Sequence, residues 1–335
     1  MKLLITGAGG QLGRELQQVL RENSARVGGR QAATLLPAVY DNVEVIAASH
    51  ADLDICDEPA VMEYLSRQRP DVLINCAALA DVDACQSNLR AAHALNALAP
   101  GHLARAAQAY GCRLLHISTD YVFAGDSDRP YVEDDLVRPM NTYGASKLAG
   151  ERQVLEMSPQ ALVVRTAWLY GRCADDSYVA RVLRQAVENQ QLRAAIDQTG
   201  SPTLTGDLAL ELLHLAVSGL TGVVHCAGAG GCSRYELAEA VLQLTGSRCQ
   251  LEPARAEDIA QLAPRPAFSA LDNARLRREC GRELRPWREA LAAYLSEQRG
   301  EQPTGLPGGS SAGQPAGQPA GQPVEQPAWP PGGLR

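Results

Sequence analysis

Tyr143 and Lys147 are the residues of this chain whose types and spacing most directly suggest acid–base chemistry. They stand four positions apart, so on a helix they share one face. A free phenol has a pKa near ~10, and a neighbouring ammonium favours the phenolate, which moves that pKa toward neutral pH. A tyrosine so placed can give a proton to a carbonyl oxygen as hydride arrives at the carbonyl carbon. The pair predicts a ketone-reducing site, although a surface helix can carry the same two residues by chance.

A strand upstream supplies a hydroxyl for the same site. The run Leu114 to Ile117 reads as a buried strand, and Ser118 and Thr119 follow where the chain leaves it. We expect the Thr119 hydroxyl to hold the carbonyl oxygen by a hydrogen bond while Tyr143 donates its proton.

The amino terminus predicts a binding loop for a dinucleotide. A short apolar strand, Lys2 to Thr6, runs directly into a glycine-rich loop and then into a segment with helical spacing. Gly7, Gly10 and Gly13 fit the pattern G-x-x-G-x-x-G, in which the backbone turns tightly and approaches a pyrophosphate at a helix N-terminus. A plain glycine-rich turn is the alternative, but the position between strand and helix favours a cofactor loop.

The end of the second predicted strand, 43–47, bears on the choice of nicotinamide cofactor. In NAD-preferring folds an acid at this position binds the ribose hydroxyls. Here the strand is followed by Ala48, Ser49 and His50, and Ser49 aligns best with the acid. Without the carboxylate a 2′-phosphate meets no like charge, so we expect NADPH, with NADH also compatible.

Five strand–helix alternations predict a doubly wound parallel sheet of the α/β class, the Rossmann type. Ligands of such sheets bind at the carboxyl ends of the strands, where Gly10, Ala78 and Thr119 fall. We predict a dinucleotide-binding domain over 1–165, onto which part of the later chain folds back. A smaller, mainly substrate-binding subdomain over 166–298 and a disordered tail over 299–335, rich in Gly, Gln, Pro and Ala, follow. The polar stretch 23–42 predicts a surface insertion.

Composition argues against several classes of function. The net charge of −7 gives no basic surface for nucleic acid, and no apolar run approaches the ~20 residues that span a membrane. Nine cysteines without a Cys-x-x-Cys pair fit neither a zinc site nor a disulfide framework, so we predict no metal ligands among them and reduced thiols in a cytoplasmic protein. The chain begins directly with a strand and its glycine loop, which leaves no room for a signal peptide.

Further motifs extend this pattern along most of the chain. They are His116–Phe123, Pro130-Tyr131, Pro139, Tyr143-Gly144, Ser146–Glu151, Asp197-Gln198-x-Gly200-x-Pro202-Thr203 and Arg265-Pro266. Together they resemble the dTDP-4-dehydrorhamnose reductase family, within the extended short-chain dehydrogenase/reductases, over nearly all of residues 1–298. The resemblance implies NAD(P)H-dependent reduction of the C4 ketone of dTDP-4-dehydro-L-rhamnose, the last step of dTDP-L-rhamnose biosynthesis, which usually serves cell-surface polysaccharide.

The resemblance also assigns roles by position. Tyr143 would be the proton donor, and Lys147 would hold the nicotinamide ribose and tune Tyr143. The implied catalytic residues are Tyr143, Lys147, Thr119 and Tyr121, and the implied substrate-binding residues are Thr119, Asp120 and Trp168. The implied cofactor-binding residues are Gly7, Gly10, Gln11, Leu12, Gly13, Ser49, Asp54, Ile55, Ala78, Leu79, Ala80, Ile117, Tyr143 and Lys147. Family members can form homodimers, and some bind Mg²⁺ at a dimer contact through glutamates that have no match in this sequence.

This sequence departs from the family pattern after the strand that ends at Asn75. The family usually has Asn-Ala-Ala-(aromatic)-Thr-x-Val-Asp-Lys-Ala-Glu, whereas Ala80, Ala84 and Gln86 replace the threonine, the lysine and the glutamate here. One hydroxyl and one cation near the cofactor and the sugar are therefore lost. The substrate follows less directly from the resemblance than the Tyr–Lys chemistry does.

Two other functions fit the same fold. A nucleotide-sugar epimerase or dehydratase is one, but dehydratases of this kind usually carry an acid pair after the strand-end threonine, where this chain has Asp120 and Tyr121. A catalytically silent, cofactor-binding subunit, similar to the β subunit of methionine adenosyltransferase, is the other. An intact set of Thr119, Tyr143 and Lys147 argues against it.

Overall fold

A parallel six-stranded sheet forms the centre of the protein. The structure is a computed structural model, which describes residues 1–28, 36–188 and 191–299. The strands are β1 (Lys2–Thr6), β2 (Glu44–Ala48), β3 (Val72–Asn75), β4 (Arg113–Thr119), β5 (Leu162–Thr166), β6 (Leu169–Tyr170), β7 (Gln191–Ala195), β8 (Thr199–Gly200), β9 (Thr203–Leu204), β10 (Gly222–His225), β11 (Cys232–Ser233) and β12 (Gln250–Ala254). The central sheet has the order β10-β5-β4-β3-β1-β2. Its strand order reverses at β1 and β3, the point where such sheets bind ligands.

Helices surround the sheets. They are α1 (Gln11–Gly28), α2 (Glu58–Gln68), α3 (Val82–Ser87), α4 (Leu89–His93), α5 (Ala99–Tyr110), α6 (Thr142–Met157), α7 (Tyr178–Glu188), α8 (Thr205–Ala216), α9 (Arg234–Thr245), α10 (Ala274–Cys280) and α11 (Trp287–Gln298). A π-helical turn, Ala94–Leu98, joins α4 to α5. Among the described residues, no helix has the length and apolar character needed to cross a bilayer.

The two faces of the central sheet bury separate cores. On one face Leu3 and Ile5 of β1 belong to the cluster that includes residues of α1 and α8. On the other face Leu4 belongs to the cluster that includes residues of α2 and α5. Successive side chains of a strand point to opposite faces, and a strand covered on both faces is apolar throughout. The predicted doubly wound α/β fold is confirmed.

A second, smaller layer has its own hydrophobic core. β7 and β12 pair in parallel and share a hydrophobic core with α7, α9 and α11. The predicted elements included neither β7 nor β12. β12 is short, exposes the polar or charged side chains of Gln250 and Glu252, and contains Pro253. β10 comes from the same later half of the chain but pairs with β5 at the edge of the central sheet. A functional boundary at residues 165/166 stays a prediction.

The predicted surface insertion over 23–42 is wrong at both of its ends. α1 continues to Gly28, and Leu36 and Tyr40 are buried in the core. The hydroxyl of Tyr40 donates to the Leu213 carbonyl at 2.6 Å, which lets an aromatic ring with a polar tip enter the interior. Residues 29–35 lie outside the described part of the chain, as does the predicted disordered tail over 299–335 except for Arg299.

A buried ion pair fixes α6 against the sheet. Glu151 of α6 accepts hydrogen bonds from Arg165 of β5 at 2.9 and 2.8 Å. Ser118 of β4 donates to the same carboxylate at 2.5 Å. Both charged side chains are at most 5% exposed. Each can therefore stay ionised in the interior only because the other carries the opposite charge.

Replacing Glu151 by alanine should lower the free energy of unfolding by about 3–5 kcal/mol, because Arg165 would keep a buried charge without its partner. Urea denaturation followed by circular dichroism measures the loss. The matched control is Glu63→Ala, which breaks an exposed pair with Arg67 on α2 and should cost no more than about 0.5 kcal/mol. Equal losses for the two variants would contradict the role given to the buried pair.

Candidate active site

The glycine loop folds back on the start of α1 and leaves no room for side chains on its inner side. Gly7 has φ +69°, and a Cβ built on it would lie 2.6 Å from the Ala77 nitrogen. A Cβ on Gly13 would lie 2.4 Å from the Gly7 carbonyl oxygen. By contrast, a Cβ on Gly9 would meet nothing. The open outer side, at the N-terminus of α1, has the form of a pyrophosphate cradle.

Gln11 and Leu12 begin α1 directly after the loop. Leu12 is 5% exposed and packs in the core. Any contact of Leu12 with a cofactor would therefore involve its backbone rather than its side chain.

The carboxylate of Asp52 lies at the end of β2, contrary to the prediction. Ser49 follows Ala48, whose carbonyl accepts a hydrogen bond from Ala8 of the glycine loop at 3.2 Å. Asp52 folds back, and its Oδ2 accepts from the backbone N–H and the hydroxyl of Ser49 at 2.9 and 2.6 Å. These hydrogen bonds lower the pKa of Asp52. The premise that this strand end lacks an acid is wrong. The chain turns after Ser49 and brings the carboxylate of Asp52, three residues later, back to the strand end.

Asp54 and Ile55 lie in the turn that leads to α2. Ile55 is buried and Asp54 is exposed. Asp57 caps α2 by accepting from the Ala60 N–H at 3.1 Å, as a helix that begins at Glu58 and Pro59 requires. A position of Asp54 and Ile55 along an adenine stays a prediction.

Asn96 holds the loop that follows β3. Its Oδ1 accepts from the Leu79 N–H at 2.8 Å, and its Nδ2 donates to the Leu79 carbonyl at 3.0 Å and to the Ser146 hydroxyl at 3.1 Å. Asn96 is fully buried in the π-helical turn. Through Leu79 and Ser146, Asn96 links the loop that contains the half-buried Ala78 and the exposed Ala80 to α6. The only sign of this role in the sequence is a polar residue among apolar neighbours.

The structure brings Thr119, Tyr121 and Tyr143 together. Asn141 caps α6 by accepting from the Gly144 N–H at 2.8 Å, which sets Tyr143 in the first turn opposite the end of β4. The Tyr143 hydroxyl lies beside the Thr119 side chain. The Tyr121 ring meets the Tyr143 ring edge-on, with centroids 5.7 Å apart. Their catalytic roles stay predictions, but their proximity is what those roles need.

Lys147 lies one helical turn from Tyr143 and is 2% exposed. Its Nζ donates to the Ile117 carbonyl at 2.5 Å. Burial lowers the pKa of Lys147 to about 8, while the nearby Glu151 carboxylate opposes that shift. The ammonium therefore predominates at neutral pH.

The predicted lowering of the phenol's pKa is not what this geometry produces. Burial raises the pKa of Tyr143 above its ordinary value. Removal from water disfavours the phenolate, and Lys147 points its ammonium at Ile117 instead. Tyr143 is accordingly protonated at neutral pH, the form that can donate.

Asp120 is buried beside these hydroxyls, with 2% of its surface exposed. It accepts from Thr119 at 3.0 Å and from Ser269 at 2.5 Å. Burial raises the pKa of Asp120 to about 6, although both hydrogen bonds and the charge of Arg234 oppose the rise. Ser269 reaches this carboxylate from a distant segment and was not predicted.

Trp168 does not simply fill the core. Its indole ring carries the Arg234 guanidinium at 3.4 Å from the ring centroid, and Arg234 also lies over the Tyr178 ring at 4.7 Å. The backbone of Trp168 has φ +44°, a conformation that costs a non-glycine residue and recurs at functional sites. Such a stack fixes the guanidinium between two aromatic faces.

A cavity of about 320 Å³ opens beside Tyr121. It lies between α7, α9, β7 and β12. Its charged lining residues are Asp83, Arg181, Arg193, Arg234 and Arg265. The excess of arginines suits an anionic ligand, since guanidinium groups bind phosphates in a forked geometry. The sequence named only Arg265 among them, because the others come together through the tertiary fold.

Asp83 and Arg265 join two loops at the cavity's edge. The Asp83 carboxylate accepts from the Ala263 N–H at 2.9 Å and from Arg265 at 3.0 Å. The loop after β3 is thus linked to the late loop that carries the Arg-Pro motif.

A metal site does not fit the described residues. Within 1–28, 36–188 and 191–299, no three His, Cys, Asp or Glu side chains converge in a way that could hold an ion. No chemical step is therefore assigned to a metal.

Comparison with known proteins places the chain in one family. The profile of the RmlD substrate binding domain matches residues 1–299. A dTDP-4-dehydrorhamnose reductase of Mycobacterium tuberculosis is 42% identical over 302 residues, which cover 88% of this chain and 92% of that protein.

Solved structures agree with that match. A dTDP-4-dehydrorhamnose reductase of Clostridium acetobutylicum, 37% identical, superimposes with a TM-score of 0.81 over 89% of this chain and 100% of its own. The Bacillus anthracis enzyme of the same name, solved in complex with NADP, is 31% identical, with a TM-score of 0.79 over 88% of this chain and 99% of its own.

Replacing Gly13 by alanine should weaken NADPH binding by about 5–150-fold, because the added methyl would push the Gly7 carbonyl out of the loop and cost about 1–3 kcal/mol. Fluorescence titration measures the affinity and thermal unfolding the stability. Gly9→Ala is the control for stability, since its methyl meets no protein atom. An unchanged affinity in Gly13→Ala would show that the loop does not hold the cofactor.

Proposed function

This chain belongs to the RmlD substrate binding domain family, and we propose that it reduces the C4 ketone of dTDP-4-dehydro-L-rhamnose to dTDP-L-rhamnose with NAD(P)H. One observation carries the proposal. The Tyr143 hydroxyl meets Thr119, one helical turn from the buried Lys147, beside an arginine-lined cavity. Relatives that cover most of the chain bear the name of this activity.

The glycine loop would hold the pyrophosphate of the cofactor at the N-terminus of α1, where backbone N–H groups and the helix dipole favour negative charge. The loop from Ala78 to Ala80, held by Asn96, would lie along the nicotinamide half. When bound, the nicotinamide supplies the hydride that reaches the ketone carbon.

Tyr143 would give its phenolic proton to the ketone oxygen. The geometry keeps this phenol protonated until the oxygen gains negative charge, because burial disfavours a free phenolate. The phenolate left behind needs a positive charge nearby. Lys147, with a pKa of about 8, supplies an ammonium at neutral pH that can turn from the Ile117 carbonyl toward the site.

The arginine-lined cavity supports a nucleotide-linked substrate. A nucleoside diphosphate carries its charge on two phosphates, which guanidinium groups bind well. Tyr121 lines this cavity and also contacts Tyr143. The sugar would therefore lie between the arginines and the proton donor, near Asp120 and Trp168.

The finer features of the proposal are the cofactor, the assembly and the location. We propose NADPH as the cofactor, with NADH as an alternative that the carboxylate of Asp52 beside Ser49 makes stronger than the sequence suggested. A homodimer and a cytoplasmic location stay predictions. A role for Mg²⁺ has no support from the described side chains.

The test is the loss of NADPH absorbance with purified protein and enzymatically made dTDP-4-dehydro-L-rhamnose, repeated with NADH. Substrate-dependent oxidation is expected, and the two rates rank the cofactors. A protein that binds NADPH but oxidises neither cofactor would instead fit a silent cofactor-binding subunit. Conversion of the sugar without net oxidation would indicate an epimerase or dehydratase.

Tyr143→Phe should lower kcat by about 10²–10⁴-fold, because the proton donor is lost while the ring remains. NADPH affinity should stay within about twofold, since phenylalanine keeps the packing against Tyr121. Steady-state kinetics and a fluorescence titration measure the two quantities. Tyr64→Phe on α2 is the control and should behave as wild type. A Tyr143→Phe enzyme with full turnover would remove Tyr143 from the mechanism.

Arg181→Ala should raise KM for the nucleotide sugar about 5–10-fold and leave kcat nearly unchanged, because an exposed guanidinium on the cavity wall would be lost. Arg184→Ala is the matched control on α7, since Arg184 bonds the Asp175 carbonyl and does not line the cavity. Initial rates over a range of substrate concentrations separate the two. Equal KM values in the two variants would indicate that the phosphates of the nucleotide sugar bind elsewhere.

A further inference from the structure

A chain of hydrogen bonds leads from Thr119, which lies beside the proton donor, into the late part of the sequence. The Tyr143 hydroxyl adjoins the Thr119 side chain. Thr119 donates to Oδ1 of Asp120 at 3.0 Å, and Ser269 donates to Oδ2 of the same carboxylate at 2.5 Å. Thr119, Asp120 and Ser269 are 5%, 2% and 1% exposed, so water cannot readily replace any of these bonds.

Proton counting fixes the direction of every bond in this chain. A hydroxyl has a single proton, and both Thr119 and Ser269 use theirs on the carboxylate of Asp120. The oxygen of Thr119 is then free only to accept, and it accepts from the backbone N–H of Tyr121 at 3.2 Å. Any hydrogen bond between Thr119 and the Tyr143 hydroxyl must therefore be donated by the phenol.

The backbone around Ser269 is held in place from two sides. Its N–H donates to the Thr199 carbonyl at 2.7 Å, and the Thr199 N–H donates to Ala267 at 2.7 Å. The Phe268 N–H donates to the Gly125 carbonyl at 3.1 Å. The Ser269 hydroxyl thus projects from a rigid, extended segment, which makes its bond to Asp120 a fixed feature of the fold.

We propose that Ser269 is a positioning residue for the reductase reaction, because it holds Asp120 as a carboxylate so that Thr119 presents an acceptor oxygen to the Tyr143 hydroxyl. The proposal rests on the proposed function for its catalytic meaning. If Asp120 takes up a proton, Thr119 no longer has to donate to it. Thr119 can then turn its own proton toward Tyr143, and the phenol loses its fixed acceptor.

The groups that face Asp120 set the pH at which this change occurs. Thr119 and Ser269 donate to the carboxylate, Arg234 of α9 attracts it, and the phenols of Tyr121 and Tyr143 adjoin it as neutral groups. Burial raises the pKa of Asp120 to about 6 against the effect of these donors. Removing the Ser269 hydroxyl removes a bond to the ionised form, so the pKa of Asp120 must rise further.

The direct test is a carbon-13 NMR titration of the Asp120 carboxyl in cofactor-free, aspartate-labelled protein, with the signal assigned by its loss in Asp120→Asn. Ser269→Ala should raise the titration midpoint by about one pH unit, the effect of one hydrogen bond to a charged group. Ser269→Thr keeps the hydroxyl and should titrate as wild type. Ser201→Ala is the control, because this buried hydroxyl bonds Leu271 of the same segment and not Asp120.

Kinetics supply the second readout. The acid limb of the kcat–pH profile should move upward with the titration midpoint in Ser269→Ala and stay in place in Ser201→Ala. A purely structural serine would lower Tm without moving either midpoint, and that result overturns the proposal. If Ser269→Ala does not fold, Ser269→Cys replaces it. A thiol is a weak donor, so the titration midpoint of Asp120 should rise in this variant as well. An inactive wild type would reject the proposed function, while the NMR titration would still judge Ser269.

Discussion

A buried positive charge is the constraint on which the rest of this structure depends. Lys147 is 2% exposed, and an ammonium in the interior is stable only with an acceptor and an opposite charge close by. Ile117 provides the acceptor through its carbonyl. Glu151, one turn further along α6, provides the opposite charge, and Arg165 and Ser118 in turn hold Glu151. These contacts of Lys147 and Glu151 thus hold α6 against β4 and β5.

The same burial shapes the chemistry of the neighbouring groups. It raises the pKa of Tyr143 and of Asp120 and lowers that of Lys147, because each group is shifted toward its neutral form. A phenol that keeps its proton beside an amine that titrates near neutrality is suited to give the proton only when a ketone oxygen begins to gain charge. Burial therefore serves the reaction as well as the fold.

Local signals in the sequence predicted the parts of the site that depend on short-range structure. The glycine loop, the strand end at Thr119 and the helix that carries Tyr143 and Lys147 each have a pattern that is complete within about twenty residues. The central sheet followed from the alternation of such patterns. The structure confirms these strands, the loop and the helix, because neighbouring residues largely determine where each of them begins and ends.

The features that sequence reasoning missed depend on contacts between distant segments or on burial. Asp52 reaches Ser49 through a turn, so a search at the strand end did not find it. Ser269 contacts Asp120 across 149 positions of sequence, and Arg181 and Arg234 meet only because α7 and α9 share a core. The pKa direction of Tyr143 was predicted wrongly because spacing shows that Lys147 is near but does not show how deeply the phenol is buried.

The central claim is that this site moves hydride to the ketone carbon of a nucleotide-linked sugar while Tyr143 protonates the oxygen. The most direct measurement uses NADPH that carries deuterium at the transferring position of nicotinamide C4, with dTDP-4-dehydro-L-rhamnose as substrate. Proton NMR and mass spectrometry of the product then locate the label. One deuterium on C4 of the sugar is expected. A product without deuterium, or with deuterium at another carbon, would contradict the claim.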